Sequence, residues 1–542
     1  MHLSTDTRSA NEHFAKVPTI SHSRNAFSIA VKHVTTCQFD YLFPVYQKYI
    51  YPGDTLAITH AVMARLATQA APLYDDLYVD MHAWFVPMRL IQTNWARFQF
   101  NAQPTGPTQD NSALTTPRIT LSGLGAGGFT SKSLYDYFGF PTKINYSADT
   151  ENINNYLGRA YNLIWNENYR DQNLQNAVVV DLDDGPDNPT DYVLLKRGKR
   201  FDKFTSCLTA QQKGTAVTIP LGTSAPVVGI SQLKLTNSTP TTRGLLQGSV
   251  GGGYNNMLSM DGADLGAGTK NVQLAASASG VIADLSTATS ATLNQLRTSY
   301  AIQHLLEADA RGGTRDVESI QHRWGVTVPD FRLQRPEYLG GSTFTFDGHI
   351  VPQTSATGLT GGTTPAANLT QFSQGMAKLN VSHSFVEHGV FMILLSARSN
   401  ITYQEGLPRE YSYRTRYDFY QPEFANIGEV AVLNKEIYAQ GTSEDAQTFG
   451  YQEYGYELRY GDNRVSGEMR SNYTTSLDSR HMADDYSALP TLGSAWIPSN
   501  TAISRNTVVS AATADPIQLN MLTAGKIART LPMYSIPGLR KL

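Results

Sequence analysis

The chain has 542 residues, 41% of them hydrophobic, and 43 Lys and Arg stand against 46 Asp and Glu for a formal charge of −3. That length suits three or four average domains or one large β architecture, and the charge balance excludes a polycation that condenses nucleic acid by net charge, so any such contact has to be local. Charged residues are only 16%, against about 25% in average domains, and Gly 43, Tyr 29 and Phe 21 fill their place, a mix that suits a β-rich, loop-rich protein with large subunit contacts.

Residues 1–35 hold Arg8, Lys16, Arg24, Lys32 and four histidines among few apolar residues, and read as an extended N-terminal arm. The first residues are polar, with no basic segment leading into an apolar stretch, so no export signal is expected. From Thr36 the pattern becomes that of half-buried strands: Cys37, Phe39, Tyr41 and Phe43 alternate with polar or small residues, then Leu56 and Ile58, then Leu77, Val79, Met81 and Ala83. Pro52-Gly53-Asp54 reads as a turn. Short helices are expected within 133–139 and 156–169, as excursions in a first β segment that runs over 36–204.

Between 205 and 292 only seven of 88 residues are charged, and Gly, Ala, Ser and Thr dominate. Such a segment has too few large apolar residues for a core of its own. It reads either as a disordered linker or as a surface insertion stabilised by symmetry mates. A helix is expected next: Thr292-Leu293-Asn294-Gln295 fits a capping box, Leu293, Leu296 and Tyr300 share a stripe, and Arg311 precedes Gly312-Gly313. The rest, 293–542, reads as the second β segment and a C-terminal arm, with strands near 344–347, 379–395 and 429–438. Its longest apolar run, Gly389 to Leu395, is far shorter than the ~20 residues that span a bilayer, so no membrane span is expected.

Few motifs point to chemistry. Gly123-Leu124-Gly125-Ala126-Gly127-Gly128 matches a dinucleotide fingerprint but lacks the surrounding βαβ pattern. The acids Asp181, Asp183, Asp184, Asp187 and Asp191 fall out of register with a calcium loop and read as a solvated turn. His383 and His388 lack zinc-site spacing. Neither cofactor nor metal is expected, and the two cysteines, Cys37 and Cys207, point to a reducing compartment rather than a disulfide scaffold. The basic run Lys196-Arg197-Gly198-Lys199-Arg200, with Lys203 and the aromatics Phe201 and Phe204, is the candidate nucleic-acid contact, since clustered cations neutralise phosphates and rings stack bases. The competing reading pairs Lys196, Arg197, Lys199 and Arg200 with nearby carboxylates. The aromatic run Tyr403 to Phe424 reads as packing or interface, and the acid-free segment after Pro516, with Lys526, Arg529, Arg540 and Lys541, as a second basic candidate.

Two strings are long and specific: Ala310-Arg311-Gly312-Gly313-Thr314-Arg315, and Asp330 to Ser342, which contains Arg332 and Arg335. With Pro52-Gly53-Asp54-Thr55, Phe85-Val86-Pro87, Asn434 to Tyr438 and Ser535 to Leu539, they resemble the major capsid proteins of Microviridae, in the gokushovirus-like branch. Two positions depart from the family pattern, Asp316 for an aromatic and Lys203 for a tyrosine. The resemblance implies a mainly β fold, an antiparallel eight-stranded jelly roll with long inserted loops and a few helices, and a noncatalytic subunit of a T=1 icosahedral shell around circular single-stranded DNA. It further implies that 205–292 forms a three-fold protrusion that serves host attachment. The implied partners are other copies of the chain, the packaged DNA, a small basic DNA-packing protein, a pilot protein, an internal scaffolding protein and a host surface receptor. The implied location is the virion, after assembly in the host cytoplasm. The alternative class is a β-sandwich carbohydrate-active enzyme or lectin, suggested by Gly, Tyr and Asn content alone.

Overall fold

Alternating apolar and polar residues place one side chain in two on each face of a strand, and the segments that alternate in this sequence form strands. The computed structural model describes residues 23–100, 114–121, 124, 127–146, 153–215, 217, 227–228, 282–283, 293–311, 334–352, 369–508 and 514–534. The chain divides into two units, residues 1–211 with 325–542, and residues 212–324. In the first unit lie β1 (Asn25–Cys37), β2 (Phe43–Ile50), β3 (Thr55–Leu66) and β4 (Leu77–Pro87), then α1 (Trp95–Phe100), α2 (Leu134–Tyr137) and α3 (Tyr156–Asn168). The second unit holds β5 (Val227–Val228) and β6 (Ile282–Ala283), paired with each other, and α4 (Leu293–Arg311). The first unit resumes with β7 (Glu337–Thr345), β8 (Asp347–Pro352), β9 (Leu369–Ser384), β10 (Gly389–Ser399), β11 (Glu429–Leu433), α5 (Asn434–Ile437), β12 (Thr448–Glu453) and β13 (Ile517–Arg529).

Eight of these strands pair as one long hairpin rolled on itself. β1 pairs with β13, β2 with β10, β3 with β9 and β4 with β7, all antiparallel. Rolling adds the pairs β13 with β3 and β10 with β4. The result is two sheets, β1-β13-β3-β9-β8 and β2-β10-β4-β7. Apart from β8, an extra edge strand beside β9, this is the eight-stranded jelly roll that the resemblance implies.

The inner faces make the first core, where Leu56, Ile58 and Val62 of β3 and Ile517, Leu519 and Met521 of β13 meet Val79 and Met81 of β4 and Phe391, Ile393 and Leu395 of β10. The outer face of β2-β10-β4-β7 is also apolar. Val390, Met392 and Leu394 of β10 and Trp84 and Val86 of β4 pack under the 88–195 excursion, against Tyr161, Ile164 and Trp165 of α3 and Leu134 of α2. Each fully buried Val, Met or Leu adds ~1.5–3 kcal/mol, so this second layer is part of the fold's stability. A third core holds Phe204, Cys207, Val432, Ile437, Phe449 and Trp496. Cys37 and Cys207 are free and buried. Among the described residues no helix is long and apolar enough to cross a membrane.

Several elements differ from the sequence reading. Of the residues alternating after Cys37, Phe43 opens β2, while buried Phe39 and half-buried Tyr41 lie in the crossover that carries the chain from one sheet to the other. Asp40 sits at φ +73° and its carboxylate accepts from the Thr501 amide and hydroxyl, both at 2.7 Å. Residues 25–35 of the N-terminal arm lie within β1. Of the segment 429–438, only the first five residues are strand; α5 follows because Glu436 Oε1 accepts from the Leu433 amide at 3.0 Å, which satisfies a donor at the helix start. The 293–311 helix has the expected bounds, while Leu296 and Tyr300 of its stripe are exposed. Residues 229–281 of the 205–292 insertion lie outside the described residues.

One polar pair interrupts the first core. His60 of β3 contacts Thr523 Oγ1 of β13 through Nδ1 at 2.7 Å, and burial, helped by His33, lowers its pKa to about 4. The unfolded chain, with its histidine near 6.5, therefore binds more protons between pH 6.5 and 4, and stability falls on acidification through that window. His60→Gln, which keeps a partner for Thr523, is expected to flatten the pH dependence of thermal unfolding between pH 6.5 and 4; a variant with the parent's profile would show that His60 does not contribute.

Candidate nucleic-acid interface

The basic run is held as an extended segment between two loops. The Arg197 amide donates to Asp40 O at 2.8 Å, the Lys199 amide to Ile497 O at 2.9 Å, and the Ser499 amide to Arg197 O at 2.9 Å. This fixes alternate side chains on opposite sides, and the four cations separate. Arg197 points to the outer face of β4, where Nη1 donates to Asp80 Oδ2 at 2.7 Å and to Ser396 Oγ at 2.8 Å. Asp80 also accepts from Arg398 Nη2 at 2.9 Å and Thr343 Oγ1 at 2.8 Å. Burial alone would raise the Asp80 carboxyl, but Arg197, the Thr343 hydroxyl and Arg398 together lower it to about 2. Burial and then the charge of Arg197 lower Arg398 to about 10.

Lys199 Nζ donates to Asp484 Oδ2 at 2.7 Å and Tyr486 Oη at 2.9 Å, and lies 4.8 Å from the Trp496 ring centre. Lys203 is buried and donates to Asp462 at 2.8 Å. The other two cations of the run have no ion pair among the described residues: Lys196 Nζ lies 5.4 Å over Tyr41 and the Arg200 guanidinium 4.2 Å over Tyr78. Beside Arg200, with Phe201 91% exposed, opens a cavity of about 700 Å³ lined by His82, Trp84, Tyr169, Tyr338, Arg170 and Arg398 among others.

Asp80, Arg398 and Asp484 were not singled out from the sequence. Asp80 was findable as the lone acid of the apolar run Leu77 to Pro87, since a buried charge requires a partner; Asp484 carries no comparable signal. Of the second basic candidate, Arg529 donates to Asp54 Oδ2 at 2.7 Å and Lys526 is exposed on β13; Arg540 and Lys541 lie outside the described residues.

The acidic run is more than a solvated turn. Arg159 of α3 is fully buried and donates through Nε to Asp187 Oδ2 at 2.8 Å, with a second, shorter bond from Nη2 to Oδ1, while Asp184 accepts from Gln92 and Asn94. These acids hold the 88–195 excursion together. No group of His, Cys, Asp and Glu among the described residues is arranged to hold a metal ion; His383 lies 3.6 Å from Glu337, and His388 packs edge-on to Tyr51 and Trp95. Of the residues carrying the family strings, Arg311 ends α4 and Arg335 is exposed before β7. Gly312, Gly313, Thr314, Arg315 and Arg332 lie outside the described residues, as do Gly123, Gly125 and Ala126 of the glycine-rich string.

A family model described as capsid protein (F protein) matches residues 15–539. The capsid protein VP1 of Bdellovibrio phage phiMH2K is 42% identical, over 92% of each chain. That of Chlamydia phage 1 is 35% identical over 98% of each, and that of Spiroplasma virus 4 is 33% identical over 95% of each.

The cluster's two halves are separable by stability. Asp80→Ala strands two guanidiniums, Arg197 and the buried Arg398, and is expected to cost ~3–5 kcal/mol, whereas Lys196→Ala with Arg200→Ala removes only aromatic contacts and is expected to cost at most ~2 kcal/mol. Denaturant unfolding of the purified chain checks both. The Asp80 contribution is present above its unfolded pKa near 4 and is lost as pH falls toward about 2.

Proposed function

Because the chain belongs to the capsid protein (F protein) family, we propose that this major capsid protein of the gokushovirus-type Microviridae builds a T=1 icosahedral shell around circular single-stranded DNA. The family is structural and noncatalytic, and the carbohydrate-active alternative gains nothing from it. The observation that carries the reading is the rolled eight-stranded sandwich within a family match over nearly the whole chain. A closed shell requires contacts that return on themselves, and heterologous contacts that fail to close give filaments. Exposed rings at Tyr411, Tyr417 and Phe419 supply the aromatic surface that subunit interfaces favour.

In this reading the 205–292 insertion forms a surface protrusion at the three-fold axes and meets the host receptor. The small basic DNA-packing protein, the pilot protein and the internal scaffolding protein are the partners of assembly, which takes place in the host cytoplasm before the chain resides in the virion. For the basic cluster, the Arg197–Asp80 and Lys199–Asp484 pairs favour a structural use over phosphate contact, because a cation already neutralised in a buried pair releases little counterion when DNA binds. Lys196 and Arg200 are the members left for a phosphate.

Electron microscopy of the purified chain, expressed with its assembly partners, is expected to give closed shells of one size; monodisperse monomers or open filaments would refute the shell. Replacing Gln247 to Gly280 with a short Gly/Ser loop is expected to leave shells intact while abolishing host attachment, and a body that no longer folds would make the segment core. Lys196→Ala with Arg200→Ala separates the two uses of the cluster: retained DNA per particle supports the structural one, and salt-dependent DNA loss supports phosphate contact.

A further inference from the structure

The two outer faces of the sandwich are treated in opposite ways. That of β2-β10-β4-β7 lies beneath the 88–195 excursion, whereas among the described residues that of β1-β13-β3-β9 has no such layer over it. Its outward positions are the even numbers 26–36, the odd numbers 55–65, and the even numbers 374–384 and 518–528, aligned in straight rows by the register. None of these positions is Asp or Glu, in a chain where acids outnumber bases 46 to 43. Four are cations: Lys32, Arg65, Lys378 and Lys526.

The rows set their spacing. Lys32, Leu522, Ala61 and Lys378 form one row across the four strands, which puts the two lysines about 14 Å apart at the usual strand separation. Lys526 stands four residues along β13 from Leu522, about 14 Å away at the rise of a strand. Between the cations lies an apolar strip, in which Met376 is 69% exposed, Met63 43% and Leu522 47%. No ion pair engages Lys32, Lys378 or Lys526 among the described residues, and Arg65 stacks 4.8 Å over Phe372. At its margins stand Asp347 of the edge strand β8, in register with Gln374, and Asp515, which accepts from the Thr36 hydroxyl at 2.6 Å. A face built only for solubility would mix both signs of charge throughout; four strands that carry no acid outward and space their cations around apolar side chains are complementary to a polyanion that also exposes flat apolar groups.

We infer that the outward face of β1-β13-β3-β9 is the surface that meets packaged single-stranded nucleic acid, with Lys32, Lys378 and Lys526 on phosphates and the Met63, Met376 and Leu522 strip under the bases. The inference rests on the DNA-enclosing shell proposed above and assigns the side of the subunit that lines it. It also differs from the basic cluster, which lies toward the opposite outer face, where Arg197 reaches Asp80.

The test compares two triple variants of the full chain. One is Lys32→Gln with Lys378→Gln and Lys526→Gln; the other places Arg at the same three positions. Binding of a labelled oligo-dT is titrated against salt, and DNA per particle is measured on assembled shells. Single-strand binding loses about 0.7 in the slope of log K against log salt for each phosphate contact removed, so the Gln variant is expected to lower the magnitude of that slope by about 2 and to release DNA from intact shells at lower salt. The Arg variant is expected to match the parent. An unchanged slope with normal DNA content overturns the inference, as does an Arg variant as defective as the Gln one. Failure of shells to assemble with an unchanged oligonucleotide slope would make the face a contact between copies, and an unfolded Gln variant would show that these side chains are not bare; either result overturns it. Parent shells without nucleic acid would refute the enclosing function itself, a result separable from failure of this face alone.

Discussion

From Gly389 to Leu395 β10 has no polar side chain, so a strand there cannot turn either face to water. It must lie between two apolar layers. The five-stranded sheet supplies one through Ile58, Leu519 and their neighbours, and the 88–195 excursion supplies the other through Tyr161, Ile164 and Trp165. The excursion is for this reason a third layer of the body. Its own integrity then matters, and the buried Arg159–Asp187 pair, with Asn155 donating to the same Asp187 Oδ2 at 2.7 Å, closes it where apolar packing alone leaves backbone groups to satisfy.

Covering one sheet face has an electrostatic consequence. Asp80 stands on the covered side of β4, where a lone carboxylate would cost several kcal/mol, and the chain meets that cost with Arg197, Arg398 and Thr343. The basic run is drawn across the sheet by this demand. Lys199 and Lys203 are used in the same manner against Asp484 and Asp462. On the outward face of β1-β13-β3-β9 no strand position is an acid, and its lysines remain without ion pairs among the described residues.

Most of the strands were legible because one-sided burial writes itself as period two: β3 and β13 show it along most of their lengths. Turns and helices with local determinants were legible too, among them Pro52-Gly53-Asp54, with Gly53 at φ +85°, and the helix ending at Arg311. What stayed hidden depends on partners remote in the chain. β1 reads as a polar arm because it pairs on one edge only and exposes half its residues; its partner β13 lies at the far end of the chain. The acids at 181–191 look like a turn until Arg159 is placed among them. The acid-free face could not be read at all before the register was known, since its positions come from four separate segments and no one of them is unusual.

The register thus sorts the exposed surface into two chemistries. Tyr411, Tyr417 and Phe419 in the 400–516 excursion present rings, with both signs of charge between them in Arg414, Arg416 and Asp418, and rings gain most when a second protein surface removes them from water. The β1-β13-β3-β9 face presents amides, hydroxyls and spaced lysines, which lose hydration if a protein surface covers them and keep it, or exchange it for phosphate, when a wet polyanion lies across them. In the proposed shell a subunit contacts its own copies on some sides and a nucleic acid on another, and such a subunit needs surfaces that do not compete for each other's partners. Excluding acids from one face while concentrating exposed aromatics on a different excursion achieves that separation within a chain whose net charge is only −3, because specificity here comes from where each charge sits and not from how many there are.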